Sequence, residues 1–178
     1  SLPISYSDES KYWKKIKIDF KDQKIQLVAF SIKKNEAIII IENYHYASHS
    51  QVIGRALRVL SKHIPIEKQK FTIVLSEIGI PIISYSFNRN ELSSIVDAPN
   101  AEALTLKLSE VSSVPKIIED AKLVKKYPNI DFGVSPYYRL HLFDPDNPVY
   151  YDLGIDASVY IELKPGTIIS GRIEKSLV

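Results

Sequence analysis

The sequence predicts an α+β fold: a small two-helix, four-stranded unit in which helix, strand and strand occur twice, followed by a run of antiparallel β-strands. Three observations carry this. Apolar residues recur at helical spacing in two stretches, Tyr12 to Phe20 and Val52 to Leu60. Each stretch is followed by two short runs rich in β-branched residues. From Asp131 to Leu177, side chains alternate apolar and polar through three longer runs with turn residues between them. The boundaries that follow are an α/β domain over 1–96, a connector with short helices over 97–130, and antiparallel strands over 131–178.

Ser7-Asp8-Glu9 offers a helix N-cap with acid in the first turn, so a helix is expected from about Asp8 to Asp22. Tyr12, Trp13, Ile16 and Phe20 share its apolar face. Lys14, Lys15 and Lys17 read as a solvated face, with phosphate or anionic-lipid contact as the alternative. Ile25 to Ile32 and Glu36 to Glu42 flank Lys33-Lys34-Asn35 as a hairpin, and the second run has the β-branched density of a strand covered on both faces. Ser48 or Ser50 caps a second helix whose stripe is Val52, Ile53, Ala56, Leu57, Val59 and Leu60. Arg55, Arg58 and Lys62 lie opposite, and Pro65 marks its end. Phe71 to Leu75 and Ile82 to Phe87 pair around Glu77-Ile78-Gly79, where glycine permits positive φ. Two helices on one face of a four-stranded sheet make a unit of about 85 residues, within the usual domain range. Between Asn88 and Asn129 the signals weaken. Glu91 to Val96 and Lys116 to Lys126 read as short helices, punctuated by Pro99, Pro115 and Pro128.

In the last third, Phe132, Val134, Tyr138, Leu140 and Leu142 oppose Asp131, Ser135, Tyr137, Arg139 and His141. A second run sets Tyr151, Leu153, Ile155, Ala157, Val159, Ile161 and Leu163 against Tyr150, Asp152, Asp156, Ser158, Tyr160 and Glu162. A third sets Thr167, Ile169, Gly171 and Ile173 against Ser170, Arg172 and Glu174, and Asp144 to Pro148 and Lys164 to Gly166 are hairpin links. Periodicity alone favours a sheet with one solvated face. Length favours the wall of a membrane barrel, because the runs exceed the roughly five or six residues of soluble strands and reach the roughly 9 to 11 of tilted spanning ones. The polar face mixes aromatics with both charge signs and suits water or sugars.

Composition removes several classes. Net charge is +2, with 23 basic and 21 acidic residues, which offers no nucleic-acid footprint. Cysteine is absent, which excludes disulfides and thiolate metal sites and is compatible with export. With no Met and a start at Ser1, the chain reads as an internal piece or a processed product. Its longest unbroken apolar run, Ala37 to Ile41, is far below the roughly 20 residues of a spanning helix. His45 and His49 have an i, i+4 interval, but His45 sits at a strand end, so two surface histidines are expected instead of a metal pair. Gly54 reads as a close approach of helix to sheet, with ligand contact the alternative. No Gly-x-Ser-x-Gly elbow or Gly-x-x-x-x-Gly-Lys loop occurs. Asp152 and Asp156 share a strand face, but sequence supplies neither a cleft nor perturbed acidity. An enzyme is not supported, and no cofactor is implied.

Ala37 to Asn43 together with Ser50 to Leu60 resembles the YjbH/GfcD family of bacterial outer-membrane proteins associated with exopolysaccharide or group 4 capsule production. Ile130-Asp131-Phe132-Gly133-Val134-Ser135-Pro136-Tyr137, then Asp144 to Gly154, is similar to that family's return to barrel strands. The resemblance covers most of the chain from about Lys11. It implies an outer-membrane location with the α/β unit in the periplasm, and a strand region that begins a β-barrel. It supplies no catalytic residue. Implied partners are surface polysaccharide, other capsule or exopolysaccharide secretion proteins, and the lipid bilayer through the barrel. Three strands alone leave open edges and invite self-association. Candidate glycan contacts are Tyr137, Arg139, Tyr150, Asp152, Tyr160 and Arg172; Arg55 and Arg58 are candidates for a partner. Alternatives are a soluble periplasmic binding or interaction module and, more distantly, a polysaccharide-modifying hydrolase using Asp152 or Glu162.

Overall fold

A computed structural model describes residues 6–33, 35–92, 104, 107–113, 122–142 and 149–177. The chain is α+β and divides into two compact units, residues 1–125 and 126–178.

The first unit opens with α1 (Tyr6–Asp22), which buries Trp13, Ile16 and Phe20. The helix begins before the expected cap, so Ser7 lies inside it. It closes where Ile25 N donates to Phe20 O and Lys24 N to Lys21 O, with Lys24 in the left-handed region (φ 55°), a common way to end a helix. Strands β1 (Gln26–Ile32) and β2 (Glu36–Glu42) form the expected hairpin, with Leu27 opposite Ile41, Ile32 opposite Ala37 and a bulge after Leu27. Helix α2 (His49–His63) follows, and of the two serines Ser48 is the cap, accepting from Gln51 N at 3.3 Å. This helix carries the chain across to β3 (Lys70–Glu77), which lies parallel to β2, with Ile39 beside Ile73. Strand β4 (Ile80–Asn88) returns antiparallel.

The β3–β4 link is Ile78-Gly79, with φ of 53° and 72°. Both residues are left-handed, as a type I′ hairpin requires. For glycine that is free, whereas a β-branched residue there costs roughly 1–2 kcal/mol. Glu42 holds this turn, its Oε1 accepting from Gly79 N at 2.5 Å.

Four strands were expected in this sheet; among the described residues it has six, in the order β5-β4-β3-β2-β1-β6. Strand β5 (Glu110–Ser112) adds to β4, and β6 (Lys122–Leu123) adds to β1. An open edge presents unpaired backbone groups, and short connector segments pair with part of each edge here, Ser84 to Ser86 of β4 and Ala29 with Phe30 of β1. Lys122 and Leu123 are therefore strand, where the tail of a short helix was expected; residues 116–121 lie outside the described residues. The expected helix at 91–96 begins at α3 (Arg89–Leu92), a third helix, and 93–96 lie outside the described residues.

Two apolar clusters sandwich the sheet. On the helix side, Ala37, Ile39, Ile41, Phe71, Ile73, Leu75, Tyr85 and Phe87 meet the stripes of α1 and α2. Val28, Ala29, Ile38, Ile40 and Val74 are buried on the other side, so β2 is covered on both faces as its composition predicts. Each fully buried Ile or Phe contributes roughly 1.5–3 kcal/mol. Gly54 departs from expectation. A Cβ added there meets nothing within 4 Å, so the glycine does not serve a close approach to the sheet.

The second unit is a three-stranded antiparallel sheet of β7 (Asn129–Leu142), β8 (Val149–Lys164) and β9 (Thr167–Ser176). Phe132 faces Val159, Arg139 faces Asp152, and Ala157 faces Ile173. The β7–β8 link, expected at Asp144 to Pro148, lies outside the described residues, whereas the β8–β9 turn is seen, with Gly166 at φ 76°. One face is apolar and bare: Phe132 is 84 % exposed, Val134 70 % and Ile173 75 %. No described residue of this unit belongs to either apolar cluster.

Candidate functional site

Period two places Asp131, Tyr137 and Arg139 of β7, Asp152, Asp156 and Tyr160 of β8, and Arg172, Glu174 and Ser176 of β9 on the polar face of the second unit. Register then decides which of them meet.

Tyr137 lies opposite Gly154, and its ring occupies the space a side chain would take there. A Cβ on Gly154 would fall 2.5 Å from both Cζ and Oη of Tyr137. Laid over the middle strand, Tyr137 donates its hydroxyl to Asp152 Oδ2 at 3.3 Å, and Ser176 Oγ donates to Asp152 Oδ1 at 2.5 Å. The Arg139 guanidinium sits 4.7 Å from the centre of the Tyr137 ring and reaches across β8 to Glu174. Glu174 also takes Arg172 Nη2 at 3.0 Å, while Arg172 Nε donates to Asp156. One connected ladder of charge and hydrogen bonds thus crosses all three strands.

Of the residues the sequence singles out, Tyr137, Arg139, Asp152 and Arg172 are brought together. Tyr160 shares their face, opposite Asp131 and Ser170, and is 38 % exposed. Tyr150 lies opposite His141, and its side chain lies outside the described residues. Asp152 and Asp156 are each occupied by donors, Asp156 being 8 % exposed. Such an arrangement presents hydroxyl, carboxylate, guanidinium and aromatic edges, a surface suited to hydroxyl-rich ligands.

Arg55 and Arg58 belong to the first unit, on α2. Arg55 is half-buried, donating to Gln23 Oε1 at 2.8 Å and lying 4.8 Å from the Tyr46 ring centre, so it ties α2 to the end of α1. Arg58 is exposed. The two spaced histidines separate: His45 stacks edgewise on Tyr46, and His49 contacts the Tyr85 hydroxyl. Among the described residues no three His, Asp or Glu gather as a metal site. Lys14, Lys15 and Lys17 are exposed.

Sequence reasoning misses a buried cluster in the first unit. Glu42 is 1 % exposed, and its Oε2 accepts from Lys125 Nζ and from the Tyr44 hydroxyl, each at 2.7 Å. Although Tyr44 as a whole is 70 % exposed, desolvation at its hydroxyl end, reinforced by the Glu42 carboxylate it donates to, pushes that hydroxyl well above the usual phenol range. The signal available was an acidic residue at the end of a strand whose interior is wholly apolar.

A family model described as "Exopolysaccharide biosynthesis protein YbjH" (YjbH) matches residues 3–178. Among curated proteins, an uncharacterized KamA family protein of Methanocaldococcus jannaschii is 28 % identical over 145 residues, covering 78 % of this chain and 23 % of that protein. The chain therefore spans about a quarter of the length of that relative. No solved structure matches.

Proposed function

The chain belongs to the YjbH family of exopolysaccharide biosynthesis proteins, and from that premise we propose that it is part of an outer-membrane β-barrel protein serving the production or export of a surface polysaccharide. The family ties the chain to exopolysaccharide biosynthesis and to the cell envelope. In the proposed arrangement, β7 to β9 begin a barrel wall and the α/β unit stands in the periplasm. The role is non-catalytic: the polar face guides glycan, and the α/β unit meets other secretion components.

One observation carries this reading: the second sheet is turned inside out. Its apolar face is open, with Phe132 84 %, Val134 70 % and Ile173 75 % exposed, while charged groups on the opposite face, Asp156 among them at 8 %, are paired with one another. A water-facing sheet does the reverse, and an apolar face this continuous needs a covering phase. Strands of 14, 16 and 10 residues reach the roughly 9 to 11 that a tilted crossing requires. Tyr137, Arg139, Asp152 and Arg172 would then line a wet lumen, and Tyr160 extends that surface.

The test is an Ile155→Arg substitution on the bare face, made in the parent protein and followed by urea unfolding in phosphatidylcholine vesicles. A lipid-facing arginine destabilises by roughly 2–4 kcal/mol near the midplane. On a face turned to water the change stays within about 0.5 kcal/mol. The second outcome, together with a parent protein recovered wholly in the soluble fraction, would defeat the proposal.

A further inference from the structure

Beside the end of α1 the first unit carries a cavity of about 270 Å³, lined by Lys17, Lys21, Lys24, Ile25, Leu27 and Tyr44, with Gln26 at its rim. We propose that this cavity binds an acidic sugar residue of a polysaccharide chain, a uronic acid or a similarly carboxylated unit.

Three lysines line one space. Lys17 and Lys21 stand four residues apart on α1, a like-charge spacing that weakens a helix by a few tenths of a kcal/mol. Lys24, itself the left-handed residue that closes the helix, lines the same space. Among the described residues none of the three ion-pairs with a carboxylate, whereas Lys62 and Lys125 do. The space therefore holds an excess of positive charge that an anion would relieve.

The other walls narrow the ligand class. Ile25 and Leu27, each 3 % exposed, form an apolar floor. Tyr44 is 70 % exposed, yet its hydroxyl is fastened to Glu42, which holds the ring as a wall. A fixed aromatic face beside apolar floor and amide rim suits the C–H face and hydroxyls of a pyranose. Compact phosphate fits less well. A helix N-terminus of the kind that cradles phosphate is not among the cavity's walls. The volume lies just under the roughly 300–1,000 Å³ of small-molecule sites, enough for one or two sugar rings. The choice of a sugar rests on the family reading above; the negative charge of the ligand does not.

The experiment is calorimetric titration of the 178-residue chain, in mild detergent, with tetragalacturonate, with neutral cellotetraose and with inorganic phosphate, at low and high salt. Tetragalacturonate is expected to bind at least tenfold more tightly than either of the others and to weaken with salt. Replacing Lys17 and Lys21 together by Gln should remove most of that affinity. Tyr44→Ala should weaken it roughly tenfold, as the loss of a ring contact implies, while Tyr44→Phe, which keeps the ring but releases it from Glu42, should weaken it by less. The lysines are exposed, so far-ultraviolet circular dichroism should be unchanged in the Gln variant and excludes misfolding as the cause. Equal binding of cellotetraose, phosphate binding as tight as that of the acidic tetramer, no binding by any probe, or an unaffected lysine variant would each overturn the proposal. None of these outcomes touches the vesicle test, so the two readings fail separately.

Discussion

At the scale of single residues, Gly54 and Asp19 make opposite kinds of claim. Gly54 sits in the interior of α2 with open space where a side chain would go. Alanine there removes backbone freedom from the unfolded chain and adds no clash, so Gly54→Ala should stabilise the first unit by up to about 1 kcal/mol. Denaturant titration followed by Trp13, the only tryptophan, reads this directly. Asp19 instead links the helices, accepting from Lys62 Nζ at 2.7 Å and His63 Nε2 at 2.8 Å. The Lys62 hydrogen bond, then that of His63, holds the Asp19 carboxyl below its ordinary 3.8. A depressed folded-state value adds stability that is complete above the unfolded value and disappears as pH falls through the depressed one. Urea midpoints from pH 6 down to pH 2 should therefore fall more steeply for the wild type than for Asp19→Asn below about pH 4. The contribution is small, since Asp19 is partly open to water.

At the scale of elements, the pairing of Tyr137 with Gly154 pins the register of β7 on β8. A methyl group at 154 collides with the ring and with the Lys175 carbonyl, so Gly154→Ala should cost roughly 1–3 kcal/mol. Adding Tyr137→Ala should recover only part of that, because the backbone clash remains; full recovery in urea titration would show that the ring alone was at fault. Here, too, the reach of sequence becomes visible. Helices α1 and α2 and strands β1 to β4 carry their own periodicity and are legible from it. Strands β5 and β6 are three and two residues long, and their structure comes from the sheet edges they complete, not from any pattern of their own. The face bearing Tyr137, Arg139, Asp152 and Arg172 is legible because alternation assigns it. The parts played by Glu174 and Ser176 as partners, and by Gly154 as a seat, depend on register, which alternation leaves open. Glu42 and Lys125 stand 83 positions apart, a separation over which no local signal operates.

At the scale of the molecule, the two units rest on different physics. The first encloses both apolar clusters, while the second contributes to neither among its described residues. Three strands without a covered apolar face are marginal in water. Thermal unfolding should thus give a Trp13 fluorescence transition indifferent to phosphatidylcholine vesicles, and a β-sheet circular-dichroism transition that moves upward when vesicles are present; a single shared transition would contradict this. The first unit also has an order of completion. Glu42 is buried early in the chain, and its ammonium partner Lys125 is the last residue of the unit. Until a ribosome has released that far end, the carboxylate has no lysine to neutralise it, and removing one member of a buried pair costs roughly 3–5 kcal/mol. A nascent chain stopped short of Lys125 would hold a nearly finished sheet whose buried carboxylate lacks its ammonium partner, so this unit gains its full stability only when its last residue arrives.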